Sequence, residues 1–186
     1  SDYIEELTGA SVINVGVGGT QLRQRTTPVA NPSNSTQAYA ALDIVNIVKA
    51  ACEQEFSKQV SAASYLATNV GDDNRTIVER LSNIDWSKVD AVTFFAGTND
   101  WNNDSSPWGD ADSSDINVTF GAINEIVRMI MTTYPHIKIY WFSPIVRWLA
   151  SSLDERISSN WSDVFERGGT TLKEFSANLM SVVASN

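Results

Sequence analysis

The sequence predicts an α/β fold built on a parallel sheet, because short apolar strand patterns alternate along the chain with longer helical ones. The clearest strand, Ala91–Ala96, is apolar on both faces except for Thr93, as is typical of a central strand covered by helices on both sides. Ile137–Phe142 predicts a further strand, and the β-branched run Val12–Val15 predicts an earlier one that ends in a glycine-rich turn. A length of 186 residues with 42% hydrophobic content fits one globular domain.

Helices are predicted between and after these strands, where apolar residues return at helical spacing. They cover Thr36 to about Lys58, a short segment with Ile77, Val78 and Leu81 on one face, Phe120 to Met131, and about Thr170 to Ala184. Clusters of Gly, Pro, Asn, Asp and Ser predict loops at 26–36, 71–74 and 101–115, and the sequence is polar again from 151 to 169.

The composition excludes several classes of function. Thirteen Lys and Arg against 22 Asp and Glu give a net charge of −9, which disfavours binding to nucleic acid or to an anionic membrane. A single Cys and a single His exclude a disulfide framework and a metal site built on several Cys or His ligands. The carboxylates between Asp104 and Asp115 lack EF-hand spacing and predict a solvated loop rather than a calcium site. No apolar run approaches the ~20 residues of a membrane-spanning helix.

Two loops are predicted at the carboxyl ends of the strands, where parallel α/β sheets collect their ligands. In Gly16–Thr20 the glycines allow backbone N–H groups to point at an anion, and Gly97–Asp100 places the Asn99 amide just past a rigid strand. A backbone N–H and an amide that converge on one point form an oxyanion hole, in which each donor contributes ~3 kcal/mol to acyl transfer. The structural alternative is that the glycines only permit a tight turn and that Asn99 and Asp100 only cap a loop.

These residues carry a resemblance to a known family. Residues 14–19, Asn-Val-Gly-Val-Gly-Gly, resemble the second conserved block of the SGNH (GDSL-type) hydrolases, and Gly97–Asp100 resembles their third block, Gly-x-Asn-Asp. The segments Asp85–Asp90, Tyr134–Ile139 and Ser143–Ile145 agree with the extended pattern of the same family. The resemblance covers nearly the whole chain, and the third block is the more specific of the two motifs.

The resemblance implies a flavodoxin-like, three-layer α/β/α parallel sheet and a serine esterase that forms an acyl-enzyme without a metal or cofactor. In the family, a glycine N–H of the second block and the Asn amide of the third are oxyanion donors, which here correspond to Gly19 and Asn99. The sequence is most similar in character to bacterial and phage-associated members that act on esterified glycans. The implied substrate is therefore an acylated glycan, with O-acetyl the expected group, or a small ester. The implied location is extracellular or virion-associated.

The nucleophile and the base of the family are not found among these residues. The family's Ser belongs to a Gly-Asp-Ser block and its base to an Asp-x-x-His block, and this sequence contains neither. Residues 1–186 are therefore interpreted as one SGNH hydrolase-like domain that is incomplete at both ends. Flavodoxin-like sheets have the strand order 2-1-3-4-5, and by resemblance Val12–Val15 is strand two and Ala91–Ala96 is strand three. The first strand, which lies between these two in the sheet, is therefore expected from another segment or chain. Without it the 186 residues are not expected to fold as a stable monomer.

No residue inside the chain is a good substitute for the missing groups. His136 precedes its strand and is predicted at the amino edge of the sheet, about 20 Å from the level of Asn99. Ser143 is followed by a proline and fits a turn, whereas Cys52 falls on an apolar helix stripe and fits an inert buried thiol. Ser1 as a nucleophile has no predicted partner.

Asp100, Trp101 and Trp108 follow Asn99 and are the candidate substrate-binding residues. Exposed Trp stacks on sugars and buried Trp packs a core, and both alternatives are open for Trp101 and Trp108. A second hypothesis for the whole chain is a non-catalytic carbohydrate-binding or virion-type structural module on the same scaffold. A Gly-Asp-Ser block and an Asp-x-x-His block in the flanking coding sequence would favour the enzyme over this module.

Overall fold

A computed structural model of the chain describes residues 2–102, 108–145, 166–167 and 169–186. Helices and short strands alternate along it, so the fold is mixed α/β, as predicted. In chain order the elements are α1 (Asp2–Thr8), α2 (Ser35–Leu42), α3 (Ile44–Glu53), α4 (Ser57–Asn69), α5 (Arg75–Ser82), a 3₁₀ turn (Trp86–Lys88), β1 (Ala91–Phe95), α6 (Thr98–Asn102), α7 (Thr119–Thr133), β2 (Lys138–Phe142), β3 (Glu166–Arg167), β4 (Thr170–Thr171) and α8 (Leu172–Ser185).

The main sheet of the described residues is a parallel pair. Strands β1 and β2 are in register from Ala91 opposite Lys138 to Phe95 opposite Phe142, and the chain connects them through α6 and α7. This arrangement confirms the prediction of parallel strands joined by a helical crossover. The antiparallel ribbon β3–β4 is only two residues long on each side and leads directly into α8.

Helix α8 begins at a capping box. The Thr171 hydroxyl accepts a hydrogen bond from the Glu174 N–H, while the Glu174 carboxylate accepts one from the Thr171 N–H. These reciprocal bonds satisfy donors that a helix start would otherwise leave free, so the helix begins at a defined residue. One face of α8 is then buried in the core, including Phe175 and Leu179.

The hydrophobic core lies on one face of the β1–β2 sheet. Phe94 and Trp141 point to this face, each 8% exposed, with ring centroids 4.7 Å apart. Helices α3, α7 and α8 contribute the apolar side chains that pack against them. The prediction that β1 is covered on both faces is wrong for the described residues, because Phe95 is 63% exposed on the opposite face. The helices α2, α4 and α5 do not cover that face; they form a second cluster with one another.

The predicted strand Val12–Val15 is not a strand. Residues 9–17 have no regular secondary structure, the Val12 N–H donates to the Glu5 carboxylate, and Val15 packs against a buried cluster that includes Phe56 and Leu81. A short extended segment becomes a strand only when a neighbour accepts its backbone hydrogen bonds. Among the described residues, neither this segment nor the edge of β1 that faces away from β2 has such a neighbour.

The helix predicted from Thr36 to about Lys58 is interrupted at Asp43. Asp43 has extended backbone angles, with φ −60° and ψ 142°, and separates α2 from α3. Its side chain is buried and bonded to a neighbouring loop, so the residue serves tertiary contacts instead of continuing the helix. Helix α4 was not predicted, because its apolar pattern is weak and rich in alanine. The predicted helices near Ile77, from Phe120 to Met131, and near the C-terminus are confirmed.

Candidate functional site

The Gly97–Asp100 segment leaves the carboxyl end of β1 in a sharp turn. Gly97 has φ +112°, and a Cβ placed on it would lie 2.8 Å from the Leu179 Cδ1 and 3.0 Å from the Phe175 Cε1 of α8. A glycine is therefore required both by the backbone angle and by the close approach of α8. The turn leads into α6, whose first residues include Asn99 and Asp100.

Asn99 lies against the glycine turn that the sequence singles out. Its Nδ2 atom donates a 2.8 Å hydrogen bond to the carbonyl of Thr20, the residue after Gly19, and Asn99 itself is half-buried. A side-chain amide has two N–H donors, so this bond fixes the group and leaves the second N–H. The two predicted oxyanion donors are thus brought to neighbouring positions, and their role in oxyanion binding stays a prediction.

Gly19 supplies the backbone side of this arrangement. It lies in a turn with φ +72° and is exposed. Across the described residues no acceptor is bonded to the Gly19 N–H, whereas the Gly19 carbonyl accepts a 2.8 Å hydrogen bond from Arg25 Nη2. The Gly19 N–H is therefore available as a donor to a ligand, while the Gly19 carbonyl is already bonded to Arg25.

Asp100 does not face a ligand. Its side chain is buried, at 1% exposure, and its carboxylate accepts hydrogen bonds from the backbone N–H groups of Leu22, at 2.9 Å, and Arg23, at 3.3 Å. Burial raises the pKa of the Asp100 carboxyl to about 7, against the opposing effect of these backbone donors. The prediction that Asp100 contacts substrate is wrong, because both oxygens are used to hold the loop that follows Gly19.

A second buried carboxylate, Asp43, also accepts hydrogen bonds from the loop that follows Gly19. It accepts hydrogen bonds from the Gln21 N–H and the Arg25 N–H, each at 3.0 Å, and from the Arg25 guanidinium. Burial raises the pKa of the Asp43 carboxyl, and the hydrogen bonds from Arg25 offset part of that increase. Neither Arg25 nor Asp43 was predicted as a site residue from the sequence. The available signal was a lone Asp within an apolar helical pattern.

The tryptophans beside Asn99 belong to the core. Trp101 is 2% exposed, and its indole N–H donates to the Thr170 carbonyl at 3.0 Å, so the prediction that it binds substrate is wrong. Trp108 is half-buried and makes edge contacts with Phe120 and Phe175, at centroid distances of 5.6 and 4.6 Å. These contacts favour the packing alternative for Trp108, and its substrate role stays a prediction.

The remaining candidate residues lie apart from the Gly19 turn. His136 is exposed in the turn before β2, at the opposite end of the parallel strands from Asn99, as predicted. Cys52 is half-buried, and burial raises the pKa of its thiol, which fits an unreactive packed cysteine. Ser143 is exposed just after β2. Ser1 and Asp104 lie outside the described residues.

An open apolar recess of about 430 Å³ lies at the carboxyl ends of the two main strands, lined by Phe95, Phe142, Ser143 and Ile145. Its lining includes no residue of the Gly19 turn or of α6, so it is not assigned to the site. No group of three or more His, Cys, Asp or Glu side chains suited to a metal ion occurs in residues 2–102, 108–145, 166–167 and 169–186. Nor does any helix in those ranges have the length and apolar character needed to cross a membrane.

No protein-family model matches the chain, and no curated protein matches it. Among solved structures, the chain is similar to a crystal structure at 26% sequence identity and a TM-score of 0.43, over 59% of this chain. The match covers 47% of that structure, so the present chain spans about half of its length.

Proposed function

We propose that this chain forms the oxyanion-binding part of an SGNH-type serine esterase that hydrolyses acyl esters of carbohydrate, with O-acetyl the expected group. The observation that carries the proposal is the hydrogen bond from the Asn99 amide to the Thr20 carbonyl. This bond supports the proposal because it joins Asn99, just beyond the carboxyl end of β1, to the residue that follows the exposed Gly19. The flavodoxin-like sheet of the family is part of the same proposal.

In the proposed reaction, the Gly19 N–H and the second Asn99 N–H donate to the carbonyl oxygen of the ester. As a serine attacks, that oxygen becomes an oxyanion, and both hydrogen bonds strengthen with its charge. The serine and its His base are expected from the Gly-Asp-Ser and Asp-x-x-His blocks, which these 186 residues do not contain. In this scheme Gly19 and Asn99 stabilise the transition state and do not transfer a proton.

The test is an Asn99→Ala variant of the protein at its full natural length, assayed with p-nitrophenyl acetate and an acetylated xylan. Loss of one oxyanion donor should lower kcat by ~10²–10³ with little change in KM. The matched control is Asn69→Ala, since Asn69 is exposed and its side-chain amide donates to the Tyr65 carbonyl within its own helix. His136→Ala should also retain nearly full turnover.

Equal activity in the Asn99→Ala and Asn69→Ala variants would contradict the proposal. If the parent protein binds acetylated glycan and hydrolyses no ester, the non-catalytic module is the better description. A collapse of turnover in His136→Ala would instead overturn the argument that His136 lies at the wrong end of the strands.

A further inference from the structure

We propose that Arg25 is a positioning residue of this site, which is held by Asp43 and fixes the Gly19 carbonyl so that the Gly19 N–H stays directed at the substrate. The inference rests on the proposed function, because it assigns a role to Gly19 only as an oxyanion donor. Arg25 itself touches no reacting atom in this scheme and acts through the backbone of the turn.

The contacts of the Arg25 guanidinium are shared between one carboxylate and one carbonyl. Its Nη2 atom lies 2.7 Å from Asp43 Oδ1 and 2.8 Å from the Gly19 carbonyl oxygen, and its Nε atom lies 3.0 and 3.1 Å from the two Asp43 oxygens. The Asp43 side chain is fully buried and the Arg25 side chain is 18% exposed. The buried Asp43 carboxylate thus holds the Arg25 guanidinium, which in turn contacts the exposed turn at Gly19.

The turn is held at two successive peptides. Arg25 binds the Gly19 carbonyl, and Asn99 binds the Thr20 carbonyl that follows it. Two glycines precede this point at residues 18 and 19, and glycine backbone is otherwise the most mobile in a chain. The two bonded carbonyls belong to the peptide planes that follow Gly19, so these bonds hold the Gly19 Cα in place. The Gly19 N–H is attached to that Cα, and its position is restrained through it.

A third contact keeps the guanidinium in place. The Arg25 Cζ atom lies 5.2 Å from the centroid of the Tyr39 ring, and the Tyr39 hydroxyl donates to the Asp72 carboxylate at 2.7 Å. The planar fork of arginine satisfies the carboxylate, the carbonyl and the ring together, whereas a lysine ammonium provides a single point charge. The geometry is thus specific to arginine and not merely to positive charge.

The chain contains a matched ion pair that lacks the contact with the turn. Arg75 binds Asp73 at 2.6 Å, both side chains are more than half exposed, and the pair is local in sequence. Substituting Lys for Arg at each position makes the same chemical change. Only the change at residue 25 alters the support of Gly19, so the difference between the two variants measures the positioning effect.

The experiment compares Arg25→Lys with Arg75→Lys in the protein at its full natural length, using p-nitrophenyl acetate. Arg25→Lys should lower kcat by about 10- to 100-fold while KM changes by less than about twofold, since misplacing a donor by about an ångström has effects of this size. Arg75→Lys should keep both constants. Adding millimolar guanidinium should recover part of the kcat of Arg25→Ala and leave that of Asn99→Ala unchanged.

The outcomes separate this inference from the proposed function. If Asn99→Ala loses activity and Arg25→Lys keeps kcat within twofold, the positioning role is overturned and the proposed function stands. If Asn99→Ala keeps full activity, the proposed function itself fails. Should every Arg25 variant lose its folded structure in circular dichroism, the ion pair supports stability alone and the positioning role is likewise overturned.

Discussion

Asp100 provides the most direct test of how the loop after Gly19 is held. Its carboxylate is buried, receives the N–H groups of Leu22 and Arg23, and has a pKa of about 7 in place of the ordinary 3.8. Replacing Asp100 by asparagine keeps the size of the side chain and removes the ionisation. Because the packing is retained, the difference in the free energy of unfolding between the parent and Asp100→Asn reports the effect of the ionisable carboxyl.

The sign of the pH effect follows from the raised pKa. The folded chain holds the Asp100 proton more tightly than the unfolded chain, so this group stabilises the fold fully below about pH 4 and loses that contribution as the pH rises through 7. About three pKa units at ~1.4 kcal/mol each amount to about 4 kcal/mol, of which about 3 kcal/mol is lost between pH 5 and pH 8. The free energy of unfolding of the parent should fall by this amount relative to Asp100→Asn.

The asparagine also changes the hydrogen bonds. Its oxygen can still accept from Leu22, while its amide nitrogen faces the Arg23 N–H, which is also a donor. We expect Asp100→Asn to be less stable than the parent by about 1–2 kcal/mol at pH 5. At pH 8 the parent has lost the contribution of the bound proton, so the order of the two stabilities should reverse.

The assay is urea unfolding of the protein at its full natural length, followed by tryptophan fluorescence at several pH values and constant ionic strength. The Asp43 carboxyl, whose pKa is also raised, is present in both proteins, and its negative charge is one of the causes that raise the Asp100 pKa. The difference between the two stability curves therefore reports the titration of Asp100 together with its interaction with Asp43. The control is Asp115→Asn, because Asp115 is exposed and Asn117 holds the pKa of its carboxyl below the ordinary value. Stability curves for the parent and Asp100→Asn that stay parallel between pH 5 and 8 would show that Asp100 does not titrate in this range.

Two further predictions concern stability. Gly97→Ala should destabilise the protein more than Gly71→Ala by about 1–3 kcal/mol, because both glycines have positive φ but only Gly97 would place its Cβ against Leu179, whereas nothing lies within 4 Å at Gly71. Urea unfolding of the two variants measures the difference, and equal losses would contradict the packing argument. Residues 1–186 expressed alone should melt without a cooperative transition, because the far edge of β1 has no partner among the described residues and Phe95 and Phe142 are 63% and 54% exposed. A single cooperative melt in circular dichroism would show that no further strand is needed.

Local sequence pattern was sufficient to predict the helices and strands whose apolar residues recur with a clear period. The strand at Ala91 and the helix that begins near Phe120 were predicted close to their observed bounds, because period and residue type identify such elements without knowledge of their partners. The prediction of Asn99 as a site candidate had the same basis, since the residue follows a predicted strand directly. Its hydrogen bond to Thr20 could not be predicted in this way, because the two residues are 79 positions apart in the sequence and meet only in the folded chain.

Local sequence pattern was enough to predict the alternation of helices with strands, the parallel direction of the β1–β2 pair and the place of Asn99 just beyond the carboxyl end of β1. Which side chains near Asn99 face outwards depends instead on the folded arrangement. Trp101 and Asp100 follow Asn99 in sequence but point into the core, and Asp43 breaks a helix to bind Arg25. Burial and the pairing of buried charges depend on contacts between segments far apart in the chain, which no local pattern specifies.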